Sequence, residues 1–143
     1  MKFKLLHLLA VSTVAFSTHA WGQVVLITAT EAALPDAKIT SSRGISRGPS
    51  ISVTSPLEVN AGSFPIKIAV TARDGTKIDP KSVQIEYLKS PLVDLTPRVL
   101  PGVSDHGIAI DNVTVPQGQH HIRVLASDNE GRQAVYQFQL TAR

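Results

Sequence analysis

From Ser50 onward the apolar residues of this chain recur at every second position, and no stretch sustains a 3.6-residue period. A period of two places one set of side chains on a buried face and the other in water, as a half-buried β-strand requires. Ile51 and Val53 alternate with serines. Ile66, Ile68, Val70 and Ala72 alternate with Lys67, Thr71 and Arg73, and Ala69 is the one apolar intruder. Val83, Ile85 and Tyr87 form a third run. Ile108 with Ile110, and Val113 with Val115, form two more. Ile122, Val124 and Ala126 make a sixth, and Ala134, Tyr136, Phe138 and Leu140 the last. Turn residues separate the runs. Asp74-Gly75-Thr76 is a hairpin-type signal. Pro116-Gln117-Gly118-Gln119 precedes the sixth run, and Asp128-Asn129-Glu130-Gly131 joins it to the last. About seven short strands at such regular spacing predict an all-β domain of two packed antiparallel sheets over residues 50–143.

The N-terminus reads differently. Lys2 and Lys4 precede an apolar run from Leu5 to Phe16, followed by Ser17-Thr18-His19-Ala20. A basic start, an apolar stretch of about 7–15 residues and a small-residue exit make a secretory signal peptide. Residues 1–20 are assigned to it, with the cut after Ala20. The apolar run is shorter than the about 20 residues that span a bilayer. The chain has no cysteine, so a disulfide framework, a thiolate nucleophile, a cysteine-based zinc site and a lipid-modified N-terminal cysteine are all excluded. The expected location after cleavage is the periplasm, with secretion the alternative.

Removing the signal also changes the charge. The full chain carries 14 Lys and Arg against 11 Asp and Glu. Without Lys2 and Lys4 the excess falls to one, and residues 51–143 are neutral, with nine bases and nine acids. No basic field remains to attract nucleic acid or an anionic membrane.

Residues 21–49 read as a leader and linker. Val24-Val25-Leu26-Ile27 is apolar, uncharged and β-prone, and left free it would aggregate. These four residues are the candidate site: a segment that docks on its own domain or adds a strand to a partner. Thr30 to Leu34 fit one helical turn capped by Thr30 and stopped by Pro35. The stretch from Thr40 to Pro49, rich in Ser, Gly and Arg, has the composition of a linker.

Residues 48–143 resemble a bacterial immunoglobulin-like domain of the broad class that includes fibronectin type III-like modules. The likeness rests on Pro49-Ser50-Ile51-Ser52-Val53, on the Val115-Pro116-Gln117-Gly118-Gln119-His120 turn, and on the Ile122–Arg132 stretch with its Ala126-Ser127-Asp128 and Gly131. The whole chain is similar to small exported proteins of Gram-negative bacteria with one such domain. The resemblance implies an immunoglobulin-like β-sandwich and says little about activity. The chain departs from antibody-type domains, because it has no cysteine pair and Trp21 lies outside the domain.

Candidate chemistry is sparse. His120 and His121 are adjacent, and neighbours in a strand point to opposite faces, so they do not share an ion; His106 and Asp105 add little. Asp111-Asn112 and Asp128-Asn129-Glu130 supply oxygens of the kind calcium takes, but such pairs are also what turns need. Ser104-Asp105-His106 holds the three residue types of a hydrolytic triad, yet a triad draws its groups from separate segments. Tyr87, Tyr136 and Phe138 fall on the inward face, and Phe64 is the aromatic expected to be exposed. In the Ser90–Pro97 loop, Leu92 and Leu95 are expected to be buried. No catalytic, metal or cofactor residue is assigned. The expected function is a non-enzymatic binding or structural module of the cell envelope, engaging another protein. A carbohydrate-binding or enzyme-accessory module is the alternative, and a small hydrolase the third reading.

Overall fold

The computed structural model describes residues 22–39 and 47–143; the signal assignment, Trp21 and residues 40–46 lie outside the described residues. The chain forms a small all-β, sandwich-like domain of two sheets. Its strands are β1 (Val24–Val25), β2 (Ser50–Val53), β3 (Glu58–Val59), β4 (Phe64–Thr71), β5 (Gln84–Tyr87), β6 (Val93–Asp94), β7 (Val103–Ser104), β8 (Gly107–Thr114), β9 (Gly118–Ser127) and β10 (Gln133–Ala142). One-turn helices α1 (Ala29–Ala32) and α2 (Thr96–Val99) lie between them. The first sheet runs β1-β8-β4-β2, with β7 also on β8, and the second runs β3-β10-β9-β5-β6.

The alternating residues build the core. Phe64, Ile66, Ile68 and Val70 of β4 face Ile85, Ile122, Val124 and Leu140 of the other sheet, all buried in one cluster. Burying such a side chain fully contributes about 1.5–3 kcal/mol, so packing of aliphatic side chains with a few aromatics can hold a domain without disulfides.

Three features depart from the sequence reading. First, among the described residues ten strands form, nine of them within residues 50–143 where about seven are expected. β1, β3, β6 and β7 are two residues long, too short to show a period of two. Second, the sheets are not purely antiparallel: β1 runs parallel to β8, and β3 parallel to β10. Third, the two runs at Ile108–Ile110 and Val113–Val115 belong to one strand through Thr114. Val113 pairs with Phe64 and Ile110 with Ile66, so β8 holds one extra residue there. This bulge switches the inward phase from even to odd numbers and hides the strand's continuity.

The turns hold their places with one change of role. Asp74 and Gly75 both have positive φ, 52° and 73°, the conformation for which Asp-Gly is suited. The turn leads out of the first sheet toward the second rather than closing a hairpin, since β4 and β5 lie in different sheets. Gly107, at φ 125°, starts β8 so close to β4 that a Cβ would lie 2.0 Å from the Ile68 carbonyl oxygen.

Candidate functional site

Val24, Val25, Leu26 and Ile27 lie on the chain's own domain. Val24 and Val25 pair with Val113 and Thr114 of β8, and the Leu26 N–H continues the ladder by donating to the Thr114 carbonyl at 3.0 Å. Leu26 and Ile27 are 0% and 1% exposed and belong to the core cluster. Val25 keeps 52% of its surface in water. Three of the four apolar residues are thus covered wholly or in part.

Polar bonds then fix the segment in two places. The first is α1. Its cap is Thr28 rather than Thr30: the Thr28 hydroxyl accepts from the Glu31 N–H at 3.2 Å, and Glu31 Oε2 accepts from the Thr28 N–H at 2.9 Å. This capping box satisfies helix-end donors reciprocally. It also aims the Glu31 carboxylate at Arg98 of α2, which donates to both of its oxygens, at 2.8 and 2.5 Å, and to the Leu26 carbonyl at 2.8 Å. The Arg98 guanidinium holds the Glu31 carboxyl down at about 2.

The second tie is Asp36. It forms an isolated bridge with Lys89 and an ion pair with Lys89 Nζ at 2.6 Å. Lys89 is only 6% exposed. Burial alone would lower its pKa, but the Asp36 carboxylate and the Tyr87 hydroxyl hold it above the ordinary lysine value. The same bond lowers the Asp36 carboxyl. Backbone bonds from Ala37 to Leu88 and from Ser90 to Pro35 complete the junction.

Beneath Lys89 lies a buried polar pair. Lys89 Nζ sits 5.3 Å from the centre of the Tyr87 ring. His120, 1% exposed, bonds through Nε2 to the Pro116 carbonyl at 2.7 Å and through Nδ1 to the Tyr87 hydroxyl at 3.0 Å. A carbonyl only accepts, so Nε2 carries the proton and the neutral Nδ1 accepts from Tyr87. Burial lowers the His120 pKa, and both ring nitrogens are used inside the fold.

The other candidates resolve into local roles. His121 points away from His120, to the outer face beside Gln137 and Gln139. Ser104, Asp105 and His106 form the β7–β8 turn, where the Ser104 hydroxyl accepts from the His106 N–H at 3.1 Å and Asp105 pairs with the exposed His106 ring. Asp128 Oδ1 accepts from the Glu130 and Arg132 N–H groups, and Oδ2 from Arg132 Nε at 2.8 Å. Its oxygens shape the β9–β10 turn. Among the described residues no three His, Cys, Asp or Glu cluster as a metal site would need. Phe64 is buried rather than exposed, because it opens β4 on the inward face. Leu92, expected to be buried, is half exposed, while Leu95 is fully buried.

The remaining feature is a strand edge. β9 pairs with β10 along all ten of its residues, but on the other side β3 meets β10 only at Thr141 and Ala142. Gly48 packs tightly against the Gln133 backbone at the opposite end. Between them, among the described residues, no strand pairs with the outer edge of Val135–Gln139. The ten residues of β10 carry no charge, Val135 is 52% exposed, and Tyr136 is 37% exposed although it lies on the predicted inward face. Tyr136 stacks on Phe138 with ring centres 6.3 Å apart. The sequence reading put Ala134, Tyr136, Phe138 and Leu140 on the inward face; the strand's edge position depends on topology, which alternation does not encode.

No protein-family model matches this chain, and no curated protein matches it.

Proposed function

We propose that this chain is an exported immunoglobulin-like module, cut after Ala20, that acts without catalysis in the periplasm by binding an extended segment of another protein along β10. The strand order supports the immunoglobulin-like reading. The neighbour orders β2-β4-β8 and β5-β9-β10 are those of strands A-B-E and C-F-G in such domains, with β1 as a fourth strand beside β8.

The observation that carries the binding reading is the β10 edge. Exposed edge strands are normally blunted by charge, proline or cover. The Val135–Gln139 edge carries no charge and no proline, and among the described residues no strand pairs with it; such an edge is where an extended peptide adds a strand. The test compares immobilised wild-type protein with the double variant Val135→Lys, Gln137→Lys in envelope extract. A protein retained by the wild type and lost by the variant supports the reading. Equal recovery on both, or background proteins only, counts against it.

Tyr136 favours a second reading. A half-exposed aromatic stacked on another is a surface on which a sugar ring can pack. Retardation of the protein in a polysaccharide gel, abolished by Tyr136→Ala, would favour carbohydrate binding over strand addition.

A further inference from the structure

Hydrogen bonds to β3 show which backbone groups β10 turns outward. The Thr141 and Arg143 N–H groups donate across that edge to the Leu57 and Val59 carbonyls, at 2.8 and 3.0 Å. Successive residues of a strand send their N–H and C=O to opposite sides. Val135, Gln137 and Gln139 therefore present theirs to the same edge as Thr141. No strand among the described residues pairs with these groups. The stretch has a stop at each end. β3 holds the edge at Thr141 and Ala142. At the other end a Cβ on Gly48 would lie 2.7 Å from the Gln133 carbonyl oxygen, so backbone stands there too. The window between the stops, Val135–Gln139, is about 17 Å long at about 3.4 Å per residue. Its five residues are uncharged. The charged groups near it are matched in pairs: Glu86 with Arg123 at 2.6 Å, Asp128 with Arg132 at 2.8 Å, and Glu58 with Arg143 at 3.3 Å. Lys38 borders a hollow of the outer face together with Gln137, which weighs against a basic occupant.

A second copy of this chain does not fit the window. β10 is paired to β9 along all ten of its residues, so another β10 arrives as a stiff strand about 34 Å long. Set antiparallel with Gln137 against Gln137, it lays its Gln133 and Arg132 where β3 already pairs with Thr141 and Ala142. Two-fold symmetry repeats the collision at the other end. Any longer strand embedded in a sheet of its own meets the same stops. The occupant must instead enter and leave the edge within the window. We propose that it is a short extended segment of another protein, at a chain end or the crest of a loop, with uncharged residues against Val135–Gln139, and that β3 and Gly48 are the stops that keep two copies of this chain from pairing there. The inference rests on the β10 reading above and names the kind of segment that reading takes. Short edges are one of the ways in which folded domains avoid edge-to-edge association; here the stops shorten the edge without closing it to a peptide.

A phage-displayed library of random peptides, selected on the purified protein and on Val135→Lys, Gln137→Lys, tests this. The peptides held by the wild type and lost by the variant are expected to share an uncharged run of about five residues, the length of the window. A Lys placed at the centre of that run is expected to weaken binding about tenfold, because it sets an unpaired charge against an uncharged edge. Light scattering of the wild type at high concentration is expected to give a monomer. Three results overturn the inference and leave the edge reading standing: a shared run with a charge at its centre, undiminished binding after the Lys replacement, or a dimer that the variant dissolves. The absence of any peptide held by the wild type and lost by the variant overturns the edge reading itself, and this inference with it. If the double variant does not melt cooperatively, Gln137→Lys alone takes its place.

Discussion

The two sheets finish differently at β8 and β10. At β8 the N-terminal segment supplies a short parallel strand, drives Leu26 and Ile27 into the core, and is tied by Glu31 to Arg98 and by Asp36 to Lys89. At β10 no strand among the described residues pairs with the edge of Val135–Gln139, and the strand carries no charge. Both edges are β-prone and apolar. One is covered by the chain's own N-terminal segment, and the other is the edge we propose for partner binding. The contrast separates residues whose loss should unfold the protein from residues whose loss, on the proposed function, should abolish binding and leave the fold intact.

The sharpest way to break that comparison is to cut into the N-terminal segment. Leu26→Ala removes a fully buried side chain and should destabilise the domain by about 2–5 kcal/mol, read as a lower denaturant midpoint. A loss under about 0.5 kcal/mol would mean that the segment is dispensable, and the two edges would then be alike. Deleting residues 22–34 should lower the melting temperature further.

Breaking one tie is a smaller insult. Arg98→Met strips Glu31 of its partner and should cost about 1.5–3 kcal/mol, the range for hydrogen bonds to charged groups. The pH dependence has a definite sign. The Glu31 pKa falls from 4.5 to about 2 on folding, so the unfolded state binds the proton more readily, and stability is lost as pH drops from about 4.5 toward 2. Equilibrium unfolding at pH 6 and pH 3 should show a steeper loss for the wild type than for Arg98→Met.

His120 sharpens the picture at milder pH. Its pKa is lowered by burial from 6.5, so its contribution is present above about pH 6.5 and declines as pH falls below it. Replacing it with a non-titrating residue, as in His120→Gln, should flatten the stability profile between pH 7 and 5. An unchanged slope would move the titration elsewhere. The smallest stability effect is expected at the open edge. Val135→Lys should change the unfolding free energy by no more than about 0.5 kcal/mol, as surface substitutions do, while removing partner capture. A large loss of stability would show that this edge, too, is structural.

Much of the fold was legible because alternation is a local signal. Ile66, Ile68 and Val70, or Ile122, Val124 and Ala126, announce a strand and its buried face without reference to anything distant. The two-residue strands have no period to read, and the β8 bulge breaks one that exists. The need to cover Val24–Ile27 was likewise legible in composition, and the structure seats those residues on β8. The ties were not. Glu31 with Arg98, Asp36 with Lys89 and Tyr87 with His120 join residues 67, 53 and 33 positions apart, and nothing in the local pattern pairs them. One signal was present: Thr28 and Glu31 stand at capping-box spacing, which marks Thr28 as the cap and Glu31 as a positioned carboxylate.

The parallel pairing of Val24 with Val113 has a consequence in time. The two residues are 89 positions apart in the chain, and a ribosome delivers the first long before the second. Proteins dominated by distant pairings fold slowly, because a long loop must close before any contact rewards it. Here an apolar, β-prone stretch is made early and its partner strand late. Val24–Ile27 must therefore pass most of synthesis without its seat. A chaperone that engages the nascent chain at this stretch would protect it, and one that holds on too long would delay the last step of folding.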